Sequence, residues 1–200
     1  MLVIGLYFQL GFQHLMAAGA WDHQLFLALI ALANAPVRWR RWIGLATLFA
    51  VGHSLAIVAM SQGWVPSHLT WVEPAILASL VVMAVMGFIS LRQNPLGIIR
   101  YERAWLANTL ASGFGVVHGL GFGGAFLSVA LRNPSPSDLA QSLLGFTLGV
   151  ELAQVLILLG FWLAAWLLFD LLQWRPLFLR KLLMAVIGLI SSWMLLLYWS

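Results

Sequence analysis

Long apolar segments, separated only by short polar connections, recur along the whole of this chain. A helix needs roughly 20 apolar residues to cross a bilayer, because each residue rises about 1.5 Å through a hydrocarbon core about 30 Å thick. The clearest segments of that kind are Trp42–Gln62, Leu69–Leu91, Trp105–Leu131, Gln141–Leu171 and Leu177–Trp199. Ahead of them lie Leu2–Ala20 and a shorter run, Gln24–Ala35, short enough to be re-entrant or interfacial. The expectation is an all-α membrane protein of about seven transmembrane helices, six if the second segment is re-entrant.

Hydrophobic residues make up 62% of the chain and charged residues 8%, where soluble domains carry about a quarter charged. No polar stretch is long enough for a second domain, so residues 1–200 read as one polytopic unit. The ten Lys and Arg are dispersed among the connections rather than gathered into a stripe. They therefore speak for topology and against nucleic acid. The absence of cysteine excludes disulfides, thiolate metal sites and thiol chemistry. The N-terminal run MLVIGLYFQLGF has no positive n-region and no small-residue cleavage site, and reads as a retained helix.

Orientation follows from the cations. Arg38, Arg40 and Arg41 occupy one connection, Arg92, Arg100 and Arg103 a second, and Arg175, Arg180 and Lys181 a third; the connections between these are neutral or nearly so. Basic loops stay in the cytoplasm. With seven crossings this puts the N-terminus in the cytoplasm and the C-terminus outside. Trp42, Trp64, Trp71, Trp105, Trp174 and Trp199 stand near segment ends, as interfacial anchors do.

Seven titratable residues depart from this pattern. His14, Asp22, His23, His53, Glu73, His118 and Glu151 lie within or at the ends of apolar segments, with no Lys or Arg beside them. Each costs a few kcal/mol at membrane depth unless paired, so such groups face a cavity or one another. Their depths coincide under the assigned topology, from the centre of the bilayer to its outer half, with Gln154 one turn beyond Glu151 on the same face. Without basic partners, a divalent metal ion or shared protons are the economical source of positive charge.

Each residue also has a plain structural explanation. His53 beside Ser54 has the setting of an interhelical hydrogen bonder. Glu73, just ahead of Pro74, has that of a solvated first-turn residue. Asp22 and His23 have that of a helix cap. The glycines around His118 (Gly113, Gly115, Gly119, Gly121, Gly123 and Gly124) suit close helix packing. His68, Glu102, Asp138 and Asp170 fall at segment ends and read as solvated. Glu151, deep in an apolar run, has the weakest alternative.

The strings GFQHLMAAGAWDHQLFL, LFAVGHSLAI, VEPAILAS, FGVVHGLGFG and FTLGVELAQ together resemble the successive motifs of the HupE/UreJ family of bacterial membrane proteins. The resemblance runs in order from Gly11 to Gln154. It implies a nickel permease or an accessory protein of hydrogenase and urease maturation, in the bacterial cytoplasmic (inner) membrane. It also implies His14, Asp22 and His23 as metal-motif residues, joined by His53, Glu73, His118, Glu151 and Gln154.

The leading expectation is a divalent-metal transporter or metal-handling protein, in contact with lipid. A second copy of the chain and metalloenzyme-maturation partners stay open. Nickel is favoured by the resemblance, while imidazole and carboxylate ligands suit cobalt and zinc equally. The alternative is an intramembrane zinc hydrolase of ceramidase-like type, in which histidine-bound zinc activates water and Glu151 or Glu73 is the general base. No HExxH motif supports it, so the balance leans away from an enzyme.

Overall fold

The computed structural model describes residues 2–34, 38–66, 69–93, 104–129, 136–168 and 176–199. These form seven helices: α1 (Leu2–Met16), α2 (Trp21–Ala33), α3 (Trp39–Ser61), α4 (Val72–Gln93), α5 (Ala104–Val129), α6 (Pro136–Trp166) and α7 (Pro176–Trp199). Helices α3 to α7 are each long and apolar enough to cross a membrane. Neither α1, with 15 residues, nor α2, with 13, qualifies alone; together they pass, bent by 72° at the short break between them.

Local chemistry sets the boundaries. Pro136 and Pro176 open α6 and α7, where a missing backbone N–H costs nothing. Helix α3 closes in a Schellman turn: Gly63 N–H donates to the Met60 carbonyl at 3.0 Å and Trp64 N–H to the Ala59 carbonyl at 2.9 Å. Gly63 takes the positive φ of 72° that this closure requires. Helix α2 starts at Trp21, earlier than the apolar pattern suggests, so Asp22 and His23 lie inside its first turn. The helix-cap explanation for this pair does not hold, because the cap position is Ala20 and no side chain bonds there.

Glycine fixes the packing. A Cβ on Gly115 would collide with the Phe49 carbonyl, one on Gly119 with the His53 carbonyl, and one on Gly123 with Met60. The contacts advance along both chains together, so α3 and α5 lie parallel in near backbone contact. Gly145 meets Ile4 and Gly149 meets Phe8 in the same sense. Helices α1 and α6 are therefore also a parallel pair. Hydrogen bonds between α3 and α6 run the other way, from Thr47 to Glu151 and from Ser54 to Thr147, so these helices are antiparallel.

The described basic residues gather at one end of the bundle, hereafter the basic end: the start of α3, the last turn of α4 and the start of α7. They lie in terminal turns of helices and not only in connections. Arg180 is buried, its Nε donating to the Leu32 carbonyl at the end of α2 at 2.7 Å. Arg100, Arg103, Arg132 and Arg175 are outside the described residues, as are His68, Glu102 and Asp170. Asp138 lies in the first turn of α6.

The α3–α5 seam makes a direct prediction. Gly115→Ala should lower the melting temperature of the purified protein, since the added methyl meets fixed backbone and overpacking costs about 1–3 kcal/mol. Gly113→Ala, where an added Cβ meets nothing within 4 Å, should be neutral or stabilising by up to ~1 kcal/mol through helix propensity. Equal melting temperatures for the two variants would remove the seam from the account of stability.

Candidate metal centre

Four histidines converge where α1 ends and α2 begins. His14 lies in the last turn of α1 and His23 in the first turn of α2. The parallel α3–α5 pair brings in His53 and His118. Ring centroids lie 4.8 Å apart for His14–His23, 5.7 Å for His14–His53, 5.7 Å for His23–His53 and 5.1 Å for His23–His118. His23, His53 and His118 are 4%, 2% and 1% exposed, and His14 is half-buried.

One ligating nitrogen from each of His14, His23 and His53 lies within 4.8 Å of the other two. Imidazole binds metal at about 2.1 Å, which puts two ligands of one ion at most ~4.2 Å apart. Small side-chain adjustments complete such a geometry. The donor atoms are also free. Nε2 of His14, His23 and His118 and both ring nitrogens of His53 are buried without a hydrogen-bond partner. That rules out the interhelical hydrogen-bonding explanation for His53, and four unsatisfied imidazoles in one pocket are costly unless something binds them.

Two rings are oriented by their neighbours. His23 Nδ1 lies 2.9 Å from Asp22 Oδ1, and the same oxygen accepts the His23 backbone N–H at 2.8 Å. His118 Nδ1 lies 2.7 Å from the Phe114 carbonyl. Acceptors at Nδ1 hold the proton there and leave Nε2 as the lone-pair donor, which is how metal-binding histidines are usually prepared. Asp22 therefore acts through His23 in this arrangement. His118 stands beside the trio as a fourth donor.

The remaining candidates are placed elsewhere. Glu73 is exposed in the first turn of α4, as a solvated residue is. Glu151 is half-buried, its carboxylate accepting from Thr47 Oγ1 at 3.4 Å, and it is not one of the trio. Gln154 is 1% exposed, with its carbonyl oxygen unpartnered.

Aromatic rings close the pocket on two sides. Phe122 lies 3.8 Å from His14 and stacks on Phe146 at 5.2 Å, and Phe146 stacks on His53 at 5.8 Å. Towards the basic end, Phe26 and Phe49 pack at 4.3 Å, with Phe49 5.0 Å from His118. Sequence reasoning passed over these residues. Their signal is spacing: Phe122 follows His118 by one turn, Phe49 precedes His53 by one turn, and Phe26 follows His23 by nearly one.

The chain matches the family described as HupE / UreJ protein over residues 1–199. It belongs to that family, a group of bacterial membrane proteins related to nickel and cobalt transport. Among curated proteins and solved structures, none matches it.

Asp22→Asn provides a test of the oriented ring. The amide keeps the size of the side chain but removes the charge that fixes the His23 tautomer. Nickel affinity by isothermal titration should fall about 10- to 100-fold, the usual cost of losing such a partner. An unchanged affinity would separate Asp22 from the centre.

Proposed function

We propose that this HupE/UreJ member carries a divalent metal ion across the bacterial inner membrane, nickel in preference to cobalt or zinc, with His14, His23 and His53 as the binding trio and His118 as a fourth ligand. One observation carries the reading: several buried imidazole nitrogens share one pocket, lack hydrogen-bond partners, and come within ligating reach of one another. Neutral imidazoles suit a borderline metal such as nickel, and ligand type alone does not separate it from cobalt or zinc. The family points to nickel and cobalt.

A carrier needs a site closed to both sides that opens to each in turn. Phe122 and Phe146 on one side of the cluster, with Phe26 and Phe49 on the other, suit such a site. The hydrolase alternative requires a carboxylate free to act as base on a metal-bound water. Asp22 is engaged with His23, Glu151 accepts from Thr47, and Glu73 is exposed. The arrangement favours transport. Glu151 and Gln154, on the basic side of Phe146 along α6, stay in the proposal as residues met after the trio on the way to the cytoplasm.

Thermal-shift titrations with nickel, cobalt and zinc test this directly. Each ion that binds the folded state should raise the melting temperature, and His53→Ala and His23→Ala should abolish most of the rise. Glu151→Gln should bind metal more weakly if its carboxylate meets the ion. A shift equal to the parent's would confine Glu151 to its contact with Thr47. A full metal shift in both histidine variants would overturn the proposal.

A further inference from the structure

Helix α1 runs in a direction that the charge pattern alone does not reveal. It lies parallel to α6, and α6 is antiparallel to α3, which starts at the basic end. Helix α1 therefore starts at the opposite end and runs towards the basic one. Aromatic contacts with α5 give the same answer independently. Tyr7 lies 5.4 Å from Phe126, near the far end of α5, while His14 lies 3.8 Å from Phe122, one turn back towards the basic end. Helix α2 continues in that direction. Its first turn holds His23 in the cluster, and its end meets Arg180 of α7 at the basic end.

From this geometry we infer that α1 and α2 are the outer and inner halves of one membrane crossing, broken at the histidine cluster, with the N-terminus outside the cell. The lengths agree: 15 and 13 residues give about 22 Å and 20 Å of helix, each too short to cross alone and sufficient when joined. Two consecutive crossings would have to reverse direction, whereas the axes bend by 72°. The chain then crosses six times, the basic end is cytoplasmic, and both termini face outside. The N-terminal location expected from seven crossings is reversed. The trio sits near the midplane, at the break in a discontinuous helix, where transporters place cation sites.

A break at that depth exposes backbone carbonyls to hydrocarbon unless the protein supplies donors. Gln24 does so. Its Nε2 lies 3.2 Å from the Leu15 carbonyl and 3.3 Å from the Ala17 carbonyl, while Ala20 N–H also donates to Ala17 at 3.0 Å. A glutamine one residue beyond the metal motif thus clamps the two half-helices together.

The absence of cysteine makes single-cysteine labelling a clean test. A membrane-impermeant maleimide should react, on intact cells, with a cysteine in a short polar tag ahead of Met1 and with Trp64→Cys beyond the end of α3. Arg40→Cys should react only after permeabilisation. If the N-terminal cysteine instead behaves like the one at position 40, α1 and α2 are separate crossings and the inference fails. Gln24→Leu in lipid nanodiscs should lower the melting temperature by several degrees, since no water replaces the lost donor at the midplane. An unchanged value would place the break at the water interface, against the inference. Both readouts are independent of metal, so the topology can stand where the transport proposal fails, and the reverse.

Discussion

Hydrocarbon offers no hydrogen bonds, so every polar group in this bundle must be satisfied by the protein or by what the protein binds. The histidine cluster shows that constraint in its sharpest form. Asp22 and the Phe114 carbonyl each occupy one nitrogen of a ring, and the other nitrogens face one another without partners. Orientation is thus supplied in advance and ligation is left open. The same constraint explains why the break between α1 and α2 carries a glutamine. Two carbonyls that a continuous helix would have used find their donor in Gln24.

Convergence of the rings depends on how closely the helices approach. His53 and His118 belong to the pair whose backbones touch through Gly115 and Gly119. Any larger side chain at those positions would push α5 away from α3 and carry His118 with it. Small residues are the usual means of close approach in membranes, where burial of apolar surface gives no drive to associate. Here they also set the distance between the His118 ring and the rings it faces.

Much of this was legible in the sequence. Apolar run length gave α3 to α7 because a crossing helix has a minimum length, and the chain's glycines around His118 announced close packing. Family likeness and the intramembrane histidines pointed to the same cluster. What the sequence left open has physical causes. Run length is blind to direction, so two short apolar runs read equally as two crossings or as parts of one, and cations in later connections are compatible with either start. Glu73 joined the candidates through its place in an apolar segment and the family resemblance, and the structure leaves it exposed in the first turn of α4. Phe26, Phe49, Phe122 and Phe146 were lost among many apolar residues, since hydropathy does not separate a ring that lines a site from one that faces lipid.

The glycine contacts have a mechanical consequence. They lock α3 to α5 and α1 to α6, making two stiff bodies rather than four independent rods. His53 and His118 ride on the first body and His14 on the second, with His23 on the half-helix between them. Rocking one body against the other stretches the span between His14 and His53 while leaving His53 and His118 in register. In the proposed transport a bound ion would resist that stretch, so the cargo itself would set the stiffness of the joint through which it passes.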